Sequence, residues 1–325
     1  MSQPNLFDIA TSELSQDAFI CWLLSWAKEE YQTTNEPLHK TAVALLETLL
    51  QLGGVPRPSS YRSVEVETQH KNIDILVLVN DDIAVIIEDK TDTEHHSDQL
   101  RRYHEQICKE FPNRKIARIY FKTGDQSNYS STTQAGYSCF LRKDFLQSLD
   151  YGVKAGVRND IFTDFYTHLL AIEESVQAYT HLPILQWNSH CWVGFFLELR
   201  TLLGDGDWKY VSNPSGGFMG YWWHWREIKY LQLEQGKLCY KIEVKDKALR
   251  AQQWEQWHQS VMQKQSDFEL KIKRPRRADG TYMTVAVLDG DYRQVDARGI
   301  IDMSRTVALL KQAERLLDAA SGVRV

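Results

Sequence analysis

The chain reads as an α/β protein, a mixed sheet flanked by helices, followed by a second, α+β unit. Three observations lead there. Two short, solidly apolar runs, Ile73–Val79 and Ile83–Ile87, are separated only by Asn80-Asp81-Asp82, and strands that apolar belong in a sheet covered on both faces. Stretches with apolar residues at helical spacing stand before and after them. The composition then shifts. Residues 1–180 carry 17 Lys and Arg against 26 Asp and Glu, a balance of −9, whereas 181–325 carry 21 against 17, a balance of +4. Eight of the ten tryptophans fall between Trp187 and Trp257. We therefore expect two units, 1–180 and 181–325, with different tasks.

The first unit begins with a helix. Thr11 or Ser12 caps it, Glu13 sits in its opening turn, and Phe19, Ile20, Leu23, Leu24 and Trp26 form its apolar stripe. A second helix over residues 38–52 stops at Gly53-Gly54 and the prolines after them. An alternating strand at Ser63–Glu67 precedes the two apolar strands, which turn at Asn80-Asp81-Asp82. Ser97 caps a helix of residues 98–111 that carries Leu100, Tyr103, Ile107 and Phe111 on one side. A strand at 117–123, a polar loop at 127–134 and helices around 145–149 and 160–178 complete the order αα-βββ-α-β-α. In the second unit, helices around 187–203 precede strands at 222–233, 238–245, 268–273 and 282–288 and helices at 248–263 and 305–319, a ββαββα order.

Composition excludes several classes. At 43% apolar and 25% charged the chain is an ordinary soluble globular protein. Five scattered cysteines without a CxxC pair argue for a reducing compartment and against a disulfide framework or zinc cluster. The opening residues lack a basic segment followed by an apolar one, and no apolar run is long enough to span a bilayer. A cytoplasmic location and no membrane partner are the expectation.

The chemistry gathers where the third strand ends, in Glu88-Asp89-Lys90. Taken alone, such charges are solvated at a strand end or form an ion pair, because burying them unpaired is costly. Pairing the two apolar strands about Asp81 sets Val79 opposite Ile83 and Asp74 opposite Glu88. Even-numbered side chains then share a face, and Asp74, Glu88 and Lys90 meet at the open end of the hairpin. Like charges directly opposed are destabilising, so a positive group belongs between them. A divalent cation with oxygen ligands is one candidate and Lys90 itself another. Gln99 and Tyr103, four apart, share a face of the helix that follows.

Asp74, then Glu88-Asp89-Lys90, then Gln99-Leu100-Arg101-Arg102-Tyr103 resembles the PD-(D/E)XK nuclease superfamily, whose restriction-endonuclease-like core has the order αβββαβ. The Q-x-x-x-Y helix resembles the branch that includes RecB-type nuclease domains, and Glu13 in SELSQD matches that branch's acidic residue on the first helix. The match spans about residues 10–125. Ile73 stands where the namesake motif has proline, and Asp89 is charged where many members are apolar. The resemblance implies Mg²⁺, with Mn²⁺ as a substitute, held by Asp74, Glu88 and the backbone carbonyl of Asp89. It further implies Lys90 as the residue that activates water, Glu13 and Gln99 as supports, Tyr103 on the nucleic-acid backbone, and hydrolysis leaving a 5′-phosphate.

Other candidates have simpler readings. Glu65 and Glu67 share a strand face and could add an acidic ligand but read first as a solvated edge, and Asp92, Glu94, His95 and His96 read as a solvated loop before they read as ligands. The stretch PSGGF lacks the strand and lysine of a phosphate cradle, and no Ser or Cys stands in a nucleophile elbow. In the second unit Leu238, Tyr240, Ile242, Val244, Phe268, Leu270 and Ile272 mark an apolar face. Lys241, Glu243, Lys245, Glu269, Lys271 and Lys273 mark the opposite, charged one. Residues 271–277 hold five basic side chains, Lys271, Lys273, Arg274, Arg276 and Arg277. They could track phosphates while Trp223 or Trp225 stacks on bases, or be a solvated face over buried tryptophans.

Two functions follow. The first is a Mg²⁺-dependent nuclease acting on DNA, its second unit recognising substrate, partner or trigger. Analogy of domain build points to bacterial defence or DNA repair. The second is a non-catalytic nucleic-acid-binding or interaction protein on a nuclease fold, against which the intact set of Glu13, Asp74, Glu88, Lys90 and Gln99 speaks. A homodimer or protein partner stays open.

Overall fold

A computed structural model describes residues 4–91, 98–213 and 216–322. The chain divides into two compact units, Met1–Glu174 and Ser175–Val325.

In the first unit α1 (Glu13–Ser25) starts after Ser12 and buries Phe19, Ile20, Leu23 and Leu24. The helix α2 (Glu36–Leu52) is capped by the Asn35 side chain, which accepts from the Leu38 N–H. It ends at Gly53, where an added Cβ would lie 2.6 Å from the Ala117 Cβ, so only glycine lets this corner close on the sheet. Strands β1 (Val64–His70), β2 (Ile73–Val79) and β3 (Ile83–Lys90) lead to α3 (Gln99–Glu110), and β4 (Lys115–Lys122) to the short α4 (Ser130–Gln134). An edge strand β5 (Ser138–Leu141), α5 (Arg142–Lys154) and α6 (Asp160–Gln177) follow. The sheet order is β1-β2-β3-β4-β5, antiparallel from β1 to β3 and parallel from β3 to β5.

The hairpin has the expected register, from Val79 opposite Ile83 to Ile75 opposite Ile87. Odd-numbered side chains such as Ile75, Val77, Val85 and Ile87 pack in the core with α1, α2 and α5. Even-numbered Leu76, Leu78, Ala84 and Ile86 pack with Leu100, Tyr103 and Ile107 of α3 and with Tyr120 and Tyr137. Helices on both faces explain why these strands lack polar alternation. The edge strand β5 was not expected, because four residues after a polar loop carry too little periodicity to read.

The second unit begins with α7 (Ser189–Leu203) and has more strands than its sequence suggests. Its strands form one sheet in the order β10 (Ile272–Lys273), β11 (Tyr282–Leu288), β9 (Lys237–Glu243), β8 (Lys229–Glu234), β7 (Phe218–Arg226) and β6 (Asp207–Val211), antiparallel throughout. The expected strand at 222–233 is a hairpin, β7 (Phe218–Arg226) and β8 (Lys229–Glu234), reversing at Glu227, whose φ is 56°. A further strand β6 (Asp207–Val211) precedes it, and β9 (Lys237–Glu243) follows. The strand expected at 268–273 shrinks to β10 (Ile272–Lys273), since Gln265–Phe268 is a 3-10 turn and Glu269 is left-handed at φ 54°. Finally α8 (Arg250–Lys264), β11 (Tyr282–Leu288) and α9 (Met303–Ser321) share one core with α7 that buries Trp223, Trp254 and Trp257.

Candidate active site

The hairpin register brings Asp74 and the end of β3 together. Alternation sends Glu88 and Lys90 to the α3 face and Asp89 to the α1 face, yet none of the three reaches solvent freely. Glu88 and Asp89 are fully buried and Lys90 is 7% exposed. The Lys90 ammonium lies 2.8 Å from Glu88 Oε1, 3.3 Å from Asp74 Oδ2 and 3.6 Å from Glu13 Oε2. It also donates to the Asp89 carbonyl oxygen at 2.6 Å. Asp74 Oδ2 accepts from the Asp89 N–H at 3.0 Å, tying β2 to the peptide between the two faces. From α1, Glu13 Oε1 accepts from the Thr91 N–H at 3.4 Å. From α3, Gln99 Nε2 donates to Glu88 Oε1 at 2.8 Å and to the Tyr103 hydroxyl at 2.9 Å. The structure thus brings Glu13, Asp74, Glu88, Lys90, Gln99 and Tyr103 into one cluster.

Its electrostatics are those of a carboxylate cluster around one cation. Burial pushes the Glu88 carboxyl up to about 7, Asp74 adding to the effect and Lys90 opposing it. Burial pulls the Lys90 ammonium down, but Glu88, Asp74 and Glu13 outweigh it and hold its pKa above the ordinary lysine value. Glu88 Oε2 is buried and has no donor among the described residues. An orphaned acceptor beside a second carboxylate and a main-chain carbonyl suits a small hard cation. Mg²⁺ is typically held by one or two carboxylates with water completing its shell. Among the described residues no group of three or more His, Cys, Asp and Glu side chains is placed to hold a metal ion.

The opposite face of β3 holds a network that sequence reading missed. Asp89 Oδ1 accepts from Gln16 Nε2 at 2.6 Å, and Gln16 Oε1 accepts from the Thr123 hydroxyl. Arg142, also buried, donates to the Thr123 carbonyl at 2.6 Å and pairs with Asp125 and Glu173. The Asp17 carboxyl lies against that of Asp89 and adds to the rise of its pKa, and Asp17 Oδ1 and Asp89 Oδ2 are buried with no partner among the described residues. Burial holds Asp89 well above its ordinary value and pushes Asp17 up to about 6. Gln16 and Asp17 follow Glu13 by three and four residues, one turn of α1, which was the available signal. Lys122, in register with Lys90 on β4, is fully buried and donates to the Thr91 carbonyl at 3.0 Å.

The remaining candidates lie elsewhere. Glu65 is exposed, and Glu67 pairs with His70 at 2.6 Å. Asp92, Glu94, His95, His96 and the cap at Ser97 fall outside the described residues, as do the first two residues of PSGGF. In the second unit the charged face is interrupted. Lys241 is 8% exposed and engaged by Glu234 and by Thr284, so it cannot meet a phosphate as it stands. Lys273 pairs with Asp289 at 3.0 Å. Arg274 pairs with Glu255 at 2.6 Å and lies over the Trp254 ring. Lys245 (3.7 Å from Glu243), Lys271, Arg276 and Arg277 are exposed. Trp223 is core and donates to Glu314, while Trp225 stacks on Tyr230 and stays partly exposed.

Comparison with known proteins gives one match. The model of the PD-(D/E)XK nuclease superfamily matches residues 4–181, a span that holds every residue of the cluster. No curated protein and no solved structure matches the chain.

Proposed function

The chain belongs to the PD-(D/E)XK nuclease superfamily, and from that premise we propose that it is a Mg²⁺-dependent nuclease cutting phosphodiester bonds in DNA. The observation that carries the reading is the convergence of Asp74, Glu88 and the Asp89 carbonyl on Lys90, with Glu88 Oε2 left without a donor. Nucleases of this superfamily generally use divalent metals such as Mg²⁺. When bound, such an ion polarises the scissile phosphate and lowers the pKa of a water.

The chain's own residues supply the rest. Asp74, Glu88 and the Asp89 carbonyl would hold the metal, Mn²⁺ serving as well as Mg²⁺. Lys90, once it leaves the Asp89 carbonyl, would hold the attacking water and offset charge gathering on phosphate oxygens. Gln99 fixes Glu88 Oε1, and because it donates to the Tyr103 hydroxyl, that hydroxyl keeps its own proton for a phosphate oxygen. Glu13 supports the site from α1 through Lys90 and the Thr91 N–H. In the second unit Lys245, Lys271, Arg276 and Arg277 are the exposed cations for further phosphates, with Lys273 and Arg274 joining if DNA displaces their carboxylates. A role in defence against foreign DNA or in repair fits a nuclease with an added recognition unit.

The test is incubation with linear and circular, single- and double-stranded DNA, with Mg²⁺, Mn²⁺ or EDTA. Cleavage with either metal, none in EDTA, and product ends bearing a 5′-phosphate are expected. No cleavage of any DNA with either metal defeats the reading. RNA cleavage alone would keep the chemistry and change the substrate.

A further inference from the structure

Beyond Gln99 and Tyr103, α3 continues along a groove of about 470 Å³. One wall is Lys71, in the turn between β1 and β2; the other is Arg102, Glu105, Gln106, Lys109 and Glu110 of α3. Both walls neighbour the cluster in sequence. Lys71 precedes Asp74 by three residues, and Arg102 and Gln106 flank Tyr103 within one turn of helix.

The groove is built for an anion. Arg102 and Lys109 are exposed and have no ion-pair partner among the described residues. The two carboxylates present are already engaged. Glu110 takes Lys71 at 2.8 Å and His70 at 3.1 Å, and these two hold its carboxyl below the ordinary value. Glu105 lies 3.8 Å from Arg101. Gln106 contributes an independent sign, since its Nε2 is buried without an acceptor among the described residues. A buried donor left unpaired costs free energy, which a ligand's acceptor oxygen recovers once the Gln106 amide turns into the groove.

We propose that this groove binds the phosphodiester backbone of the strand flanking the scissile phosphate. The proposal rests on the nuclease reading and names where the acidic first unit holds its polyanion. Cations and one amide donor suit phosphate oxygens and carry no base code, so binding here is independent of sequence. From Gln99 to Lys109 the helix rises about 15 Å, which matches roughly four nucleotides of strand advance.

The experiment uses the full chain in EDTA and fluorescence anisotropy of labelled duplex and single-stranded DNA over a salt series. Arg102→Ala with Lys109→Ala should weaken binding of every sequence about tenfold and flatten the slope of log K against log salt by about two units on duplex. Gln106→Ala should weaken binding about threefold with the slope unchanged, because it removes a neutral donor. With metal, the double variant's loss should appear in KM rather than kcat. Unchanged affinity and slope in a double variant that melts like wild type overturn the proposal, as does a wild-type chain that binds no DNA. The two readings fail separately. Wild type that cleaves while the double variant binds normally removes the groove and leaves the nuclease. Wild type that binds through Arg102 and Lys109 but never cleaves removes the nuclease and leaves the groove.

Discussion

Glu88 and Asp89 are neighbouring carboxyl groups on one strand, both fully buried, and the two faces of β3 treat them differently. On the α3 face Glu88 meets an ammonium, a second carboxylate and an amide, and keeps one oxygen without a donor. On the α1 face Asp89 takes an amide from Gln16 and meets a second carboxyl, that of Asp17, where Glu88 meets an ammonium. Lys90 favours the charged form of Glu88, whereas the Asp17 carboxyl opposes that of Asp89. Each keeps one buried oxygen without a partner among the described residues, but only that of Glu88 belongs to a carboxyl that shares the Lys90 ammonium with Asp74. The Asp89 backbone connects both, because its N–H holds Asp74 and its carbonyl receives Lys90.

The largest expected effects come from the α3 face. Glu88→Ala and Lys90→Ala should each lower cleavage by roughly 10³ or more, the scale of losing a preorganised charge in a site. Their metal affinities should move in opposite directions. Without Glu88 a ligand is gone, and Mn²⁺ binding by calorimetry weakens. Without Lys90 the ammonium no longer occupies Asp74, Glu88 and the Asp89 carbonyl, so binding holds or tightens. Weaker Mn²⁺ binding by the Lys90 variant would mean that the lysine fastens the site and does not compete for it.

The α3 face was legible in the sequence because its signals are local. A two-stranded register follows from one turn and a period of two, and Gln99 and Tyr103 from a helical spacing of four. The α1 face was not legible. Gln16, Asp89 and Thr123 come from α1, β3 and β4, and nothing in any one segment shows that their side chains meet. The same limit hid Lys122, which is buried by a parallel register. It also misplaced Lys241, whose partners Glu234 and Thr284 lie on β8 and β11. The hairpin of β7 and β8 went unread because Glu227-Ile228 carries no glycine, proline or asparagine to mark a turn.

Acidity separates the faces next. Glu88 titrates near 7 in the folded chain against about 4.5 when exposed, so the fold holds its proton more tightly than the unfolded chain does. Stability in EDTA should therefore fall as pH rises from 4.5 to 7 and stay lower above, by at most about 3 kcal/mol from this group. Glu88→Gln keeps the shape and an acceptor for Lys90 but removes the titration. At pH 8 it should be the more stable chain by urea unfolding, at pH 4.5 nearly equal to wild type, and inert at both. Mg²⁺ affinity of wild type should rise toward pH 7 and then level off, since metal and proton compete for one carboxylate. A Gln variant less stable at pH 8 would make ionised Glu88 a net fastener and erase the contrast with Asp89.

The smallest effects, and the finest test, belong to Asp89. Its side chain is an acceptor for Gln16 and a partner for Asp17, with no oxygen facing Glu88 or Lys90 across the strand. Asparagine can do both tasks, its oxygen accepting from Gln16 and its amide donating to Asp17. Asp89→Asn should thus unfold within about 1 kcal/mol of wild type and keep cleavage within a few-fold. Alanine leaves the Gln16 amide and the Asp17 carboxyl buried without that partner, which should cost about 2 kcal/mol in urea unfolding. Loosening the Asp89 backbone, whose N–H and carbonyl serve the site, should also lower kcat in the alanine variant, and the asparagine variant should restore it. If asparagine loses activity as fully as Lys90→Ala while remaining as stable as wild type, Asp89 acts through its charge, and the two faces of β3 form a single site.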